Sequence, residues 1–293
     1  MVFYIVQFLT GLASAASLFL VASGLSIIFG VTRIVNFAHG AFYMLGAYLA
    51  YSLIERLEGA LGFWSGVLLA ALIVAAIGVL VEMALLRRIY HSPELFQLLA
   101  TFGLTLMAED LVVLRWGPAD LLGQRAPGLK GAVGFFGQNI PSYDLFLIVL
   151  SPVVLGILWL LFQRTRWGVL VRAATEDRDM VAALGVNQKW LFTSVFAVGV
   201  FLAALGGAFT APKISVQPGI AITVILLSFA VVVIGGLGSV EGAAIAALFV
   251  GFARAAAIHL VPWAELFIVY LVMALVLAFR PEGLFQRISA RKI

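Results

Sequence analysis

Cysteine is absent from the 293 residues, so neither a disulfide framework nor a thiolate metal site is available. Charge is scarce. Asp, Glu, Lys and Arg make up 11% of the chain, against about 25% in soluble domains, which excludes an ordinary soluble protein. His39, His91 and His259 stand far apart. No Ser/His/Asp or metal-ligand spacing emerges, so neither catalysis nor a metal is expected of this chain. None of Lys130, Lys189, Lys213 and Lys292 follows a glycine. A phosphate-binding loop needs Gly-Lys before Ser or Thr, so no ATP or other cofactor is expected to bind here. Met1 to Gly30 contains no Lys or Arg. The basic region of a signal peptide is therefore missing, and the first apolar run is expected to be retained as a span. The net charge of +4 does not suggest nucleic acid, because the basic residues cluster at the ends of apolar runs, where they orient a membrane protein.

What is present is hydrophobic: 63% of the residues, with a mean hydropathy of +1.14. A helix crossing a ~30 Å hydrocarbon core needs roughly 20 residues. Apolar runs near 4–29, 37–54, 64–86, 95–115, 143–163, 191–211, 220–238, 242–260 and 263–280 meet that need. The expectation is an all-α polytopic membrane protein of 8–10 transmembrane helices, forming a single transmembrane domain over 1–293. With the N-terminus outside and the C-terminus in the cytoplasm, twelve basic residues fall inside: Arg33, Arg87, Arg88, Arg164, Arg166, Arg172, Arg178, Lys189, Arg280, Arg287, Arg291 and Lys292. Arg56, Arg115, Arg125, Lys130 and Lys213 fall outside, and Arg254 lies within a span. That asymmetry follows the positive-inside rule.

Two loops stand out. Residues 116–142 are rich in Gly and Pro and lack helical periodicity, as an external loop would, serving either as a connector or as a docking surface. Residues 164–190 form a cytoplasmic loop with a short helix signal. There Thr175 is placed to N-cap, Glu176, Asp177 and Asp179 fill the first turn, Met180, Ala183 and Leu184 form an apolar stripe, and Gly185 closes the helix. Three acids in the first turn disfavour an anionic leaflet and favour docking into a partner's groove.

The stretch GVTRIVNFAHGAFYMLGAYLA (residues 30–50) interrupts apolar sequence with Arg33, Asn36, His39 and Gly40. Residues 36–49 align with 238–251 at an offset of 202, which sets His39-Gly40-Ala41 on Glu241-Gly242-Ala243. Each copy follows a glycine, Gly30 in one and Gly235 and Gly236 in the other. An internal repeat of interrupted helices is expected where a translocation path runs. Unpaired backbone at membrane depth persists only where protein or a water-filled path surrounds it. Asn36, His39, Gly40, Gly235, Gly236, Gly238, Ser239 and Glu241 are the path candidates. The alternative is an ordinary turn with Asn36 capping the next helix. Among charges within spans, Arg254 lies ~18 Å and Glu109 ~21 Å from the cytoplasmic ends of their helices at 1.5 Å per residue. An ion pair of Arg254 with Glu109 or Asp110 is expected, with Glu82 snorkelling near a helix end.

GLSIIFGVTRIVNFAHGAFYMLGAYLA, the segment RAATEDRDMVAALGVNQKWLFTSVFAVGVFLAALGGAF, FAVVVIGGLGSVEGAAIAALFVGF and the ending RPEGLF together resemble the branched-chain amino acid permeases of ATP-binding cassette importers. The likeness is greatest to the smaller, high-affinity type, and it covers essentially the whole chain. It implies a division of labour. A second, related permease completes the path, two cytoplasmic ATPases drive it, and a periplasmic or lipid-anchored binding protein delivers substrate, all at a bacterial or archaeal plasma membrane. It also implies that the loop around Ala173–Gly185 contacts the ATPases and that leucine, isoleucine or valine is carried. Related permeases handle urea or short-chain amides, and a stand-alone ion-coupled carrier is the alternative of another class.

Overall fold

The computed structural model describes residues 2–57, 61–90, 92–135 and 138–285. Arg287, Arg291 and Lys292, counted above toward orientation, and His91 lie outside them. The elements run α1 (Val2–Thr32), α2 (Ala38–Arg56) and α3 (Gly62–Val81). A π-helical turn (Glu82–Leu86) and α4 (Arg87–Ile89) prolong α3. Then come α5 (Glu94–Trp116), the strands β1 (Ala132–Phe135) and β2 (Gln138–Pro141), α6 (Ser142–Arg164), α7 (Arg166–Glu176) and α8 (Arg178–Ala183). The chain continues through α9 (Gln188–Thr210), α10 (Ile220–Gly235), α11 (Val240–Leu260), a 3₁₀ turn (Pro262–Ala264) and α12 (Glu265–Phe279).

Helices stand at all nine positions where the apolar runs call for a span, and seven are long and apolar enough on their own to cross a membrane. The two that fall short do so for different reasons. α10 has 16 residues, about 24 Å of helix at 1.5 Å per residue. α2 carries His39, Tyr43, Tyr48, Tyr51, Glu55 and Arg56. In α2 the polar residues His39, Tyr43 and Tyr48 are buried in protein, so lipid does not set its composition.

α1 and α9 form the centre. α1 packs on α9, α11, α6 and α10, while α9 also takes α2 and α3. Between helices in lipid, close packing of small residues does the work that the hydrophobic effect does in water. At the α1–α9 crossing Gly24 faces Gly199, where an added Cβ would come 2.4 Å from the Gly199 carbonyl oxygen. At the α2–α9 seam Gly207 faces Tyr43, with 2.0 Å for the same test.

One side of the bundle carries the α1–α2 connection, α4, α7, α8 and the α10–α11 connection. The opposite side carries residues 117–135 and 138–141, where sequence periodicity predicts only a loop. A short hairpin forms there, with Val133 opposite Ile140. Leu121 bridges Val216 in antiparallel fashion, and Lys213 pairs with Asp144 at 3.0 Å. The loop is therefore pinned to the residues that follow α9.

Candidate functional site

α1 ends at Thr32, and Arg33 adopts φ +56°, with its N–H donating to the Phe29 carbonyl at 2.8 Å. This is a left-handed C-terminal cap in a position that usually takes glycine. Five residues after Arg33 the chain re-enters a helix at Ala38. The Asn36 side-chain oxygen accepts the Ala38 N–H at 3.1 Å, an Asx turn, so Asn36 does shape the start of α2. Asn36 and His39 are both buried. The His39 ring Nε2 meets the Val21 carbonyl of α1 at 3.0 Å, and Gly40 lies against the Ala221 carbonyl at the start of α10. Among the described residues, the Asn36 Nδ2 and His39 Nδ1 atoms have no hydrogen-bond partner. Asn36 lines a cavity of ≈ 10 Å³ with Gln97, Thr101 and Phe196, about the room one water needs.

The second break mirrors the first. Gly236 and Gly238 take φ +101° and +86°, and Ser239 caps α11 by accepting the Gly242 N–H at 2.9 Å. Gly235 and Gly242 close the turn against each other. The offset of 202 that aligns the two stretches also aligns the helix starts, Ala38 and Val240. The breaks touch: a Cβ on Gly238 would lie 2.9 Å from the Gly30 Cα. Exposed Glu241 borders a cleft there with Gly30, Val31, Thr175 and Gly238. The RPEGLF tail seals the turn. Gly283, at φ +83°, lets Leu284 and Phe285 donate their N–H groups to the carbonyls of Ile234 and Gly235 at 2.9 and 3.1 Å.

The expected coupling helix is two helices. Thr175 is not its cap. It lies in the last turn of α7, where its hydroxyl donates back to the Val171 carbonyl at 2.9 Å. Asp177 caps α8 instead, accepting the Met180 N–H at 2.9 Å, with extended backbone at φ −144°. Glu176 therefore ends one helix and Asp179 lies in the first turn of the next. Gly185 takes φ +81° and terminates α8 as expected. Val181 faces inward, while Met180 and Leu184 are 58% and 76% exposed. Ala183 is exposed beside them.

Two charge assignments need correction. Arg254 pairs with Glu265 at the start of α12, not with Glu109 or Asp110. Depth along a helix axis does not say which helices are neighbours: α11 packs on α1, α10 and α12, whereas α5 packs on α2. Glu109 keeps a buried carboxylate oxygen without a partner among the described residues, and Asp110 is exposed on the surface of a spanning helix. Glu82 does not snorkel. It is fully buried and accepts from Arg87 at 3.1 Å, Thr193 at 2.7 Å and Tyr90 at 3.3 Å. Burial and then the Glu82 charge push the Tyr90 phenol above its usual range, so it stays a donor. Residues five apart do not share a face in an α-helix. The π turn brings them together, with the Arg87 N–H donating to the Glu82 carbonyl. Arg87→Leu is expected to cost about 3–5 kcal/mol, because it strands a buried carboxylate. Glu82→Gln should cost less, since the Arg87 side chain, 30% exposed, still reaches water. Thermal unfolding of the detergent-solubilised variants checks that order.

A family model described as the permease component of branched-chain amino acid transport systems matches residues 7–277. The high-affinity branched-chain amino acid transport system permease protein BraD of Pseudomonas aeruginosa is 28% identical, over 99% of this chain and 98% of that one. The LivH permease protein of Escherichia coli K12 is 26% identical over the same shares. LivM of the same organism is 25% identical over 89% of this chain and 66% of its own length. A solved structure, PsaBC from Streptococcus pneumoniae in complex with Fab, superposes with a TM-score of 0.50 at 11% identity, covering 92% of this chain and 89% of that one. That likeness speaks to the fold alone.

Proposed function

The chain belongs to the family of permease components of branched-chain amino acid transport systems, and we propose from this membership that it forms half of the membrane path of an ATP-driven importer. Its substrate is a small zwitterion with an apolar side chain: leucine, isoleucine or valine. Separate ATPase subunits supply the energy. The observation that carries the reading is the α8 foot, whose Met180 and Leu184 project from a side-chain-capped helix on the same side as both breaks. Large apolar side chains in that position fit a groove on a partner.

Two cytoplasmic ATPases drive the pair of permeases, one of them docking on this foot. A periplasmic or lipid-anchored binding protein meets the opposite side, around the segment that Leu121 pins to Val216. A second, related permease and membrane lipid cover the rest. Asp110, exposed on a spanning helix, supports a protein neighbour for that face of α5, because an acid at membrane depth is costly against lipid. The chain lies in a bacterial or archaeal plasma membrane with its C-terminus cytoplasmic, and it catalyses nothing itself. In transport the α1–α2 and α10–α11 breaks, in contact at Gly30 and Gly238, change which side the path faces. Asn36, His39, Gly40, Gly235, Gly236, Gly238, Ser239 and Glu241 form or support that gate.

Purification of the tagged chain from its native membrane tests the reading. Two ATPases, a related permease and a neighbouring amino-acid-binding protein are expected to accompany it, and the reconstituted complex should take up leucine only with ATP. A chain that purifies alone and takes up substrate on an ion gradient would overturn the proposal.

A further inference from the structure

Two arginines connect the coupling segment to the first break. The Arg33 guanidinium donates to the Thr175 carbonyl at 3.1 Å. The Arg178 guanidinium donates to the Val31 carbonyl. The bonds cross. Val31 belongs to the last turn of α1, which Arg33 follows. Thr175 belongs to the last turn of α7, which Arg178 follows across the Asp177 cap. Each arginine thus satisfies an orphan carbonyl at the C-terminus of the other's helix, where the helix dipole also favours a cation.

The arrangement is costly, which argues that it is held for a reason. Arg33 sits at φ +56°, a conformation disfavoured for residues with a Cβ. Burial, and then the Arg33 charge, lower the affinity of Arg178 for its proton, although a guanidinium remains charged under any ordinary condition. Arg178 is further fixed by the Phe192 ring, 5.1 Å from its guanidinium carbon, and by Gln188, whose side chain donates to the Arg178 carbonyl at 2.6 Å. α7 and α8 are also anchored by Val171, Ala174 and Val181. Those contacts hold the segment on the body, and Val171 also lines the cleft that Val31 borders, but apolar contacts are non-directional.

We propose that Arg33 and Arg178 form a reciprocal clamp that carries movement of the α7–α8 segment to the α1–α2 break, so that they are positioning residues for coupled transport rather than residues of the docking surface. The proposal rests on the reading of this segment as the ATPase-contacting element. It places the route of transmission at two side chain to backbone bonds and assigns no role to the apolar anchors in that step.

The complex of permeases, ATPases and binding protein, reconstituted in vesicles, supplies the test. Arg33→Ala and Arg178→Ala are expected to retain the ATPases and to hydrolyse ATP at close to the wild-type rate. Leucine taken up per ATP hydrolysed should fall about tenfold or more, within the ordinary range of coupling between sites. Arg178→Lys, which keeps a cationic donor for the carbonyl, should restore most of the ratio. Unchanged uptake per ATP in both alanine variants would sink the clamp, as would a parallel loss of ATPase binding and uptake that lysine does not reverse. A wild-type complex that carries no ATPases would instead sink the functional reading beneath it, so the two failures are distinguishable.

Discussion

Gly207→Ala is expected to leave almost no folded protein. The added Cβ would sit 2.0 Å from the Tyr43 carbonyl oxygen, 2.9 Å from its carbon and 3.1 Å from the Ala47 nitrogen. All three are backbone atoms of α2, so no side chain can turn aside to make room. The seam cannot open locally either, because one turn away Gly46 closes on the Ala204 backbone at 2.4 Å. Overpacking that side-chain shifts can absorb costs about 1–3 kcal/mol. Here two helices must separate, and the cost lies above that range. The control is Gly103→Ala on α5, where a new Cβ meets nothing within 4 Å. It should extract as well as the parent or slightly better, since alanine favours helix by about 1 kcal/mol over glycine. Size-exclusion profiles of the two detergent extracts decide the matter, and comparable monodisperse peaks would refute the close-packing argument.

A carboxylate at Met180 or Leu184 is expected to release the ATPases while the permease still inserts and folds. Neither side chain is buried within the chain, so the fold loses nothing, and the Asp177 cap survives the change. The partner groove would have to desolvate a charge where it expects a thioether or an isobutyl group. Loss of an interface anchor of this kind costs about 2 kcal/mol or more, roughly 30-fold in affinity, and Met180→Asp with Leu184→Asp together should abolish co-purification. Val181→Asp gives the contrast. That residue is 4% exposed, so the same chemistry one position along should reduce the yield of folded permease. Capture of ATPases by the double variant at the parental level would remove the foot from its role.

The helices are legible because crossing a hydrocarbon core calls for apolar runs of roughly 20 residues, and nine runs near that length are plain in the sequence. The repeat was legible only in outline. Few residues match across the offset, yet the helix starts at Ala38 and Val240 coincide, because backbone geometry at a break tolerates many sequences around a glycine. The coupling segment was half legible. Thr175 and Asp177 both have the chemistry of a cap. Asp177 prevails because the Thr175 hydroxyl is drawn back to the Val171 carbonyl within α7, a local competition that spacing does not resolve. The partners of Arg254 and Glu82 were not legible at all. The first depends on which helices adjoin. The second depends on one π turn, which shifts the register by a residue and has no sequence mark of its own. In the sequence Arg33 and Arg178 look like orienting charges, and nothing there signals that their partners are the carbonyls of Thr175 and Val31.

The seal formed by Leu284 and Phe285 on the end of α10 has a consequence for biogenesis. A chain made from its N-terminus exposes the carbonyls of Ile234 and Gly235 well before the segment that will pair with them has been synthesised. In the interval α11 and α12 are inserted, and water at the membrane surface serves those two acceptors. The α10–α11 turn therefore reaches its final form as a late event in assembly, after the spans around it are already in place.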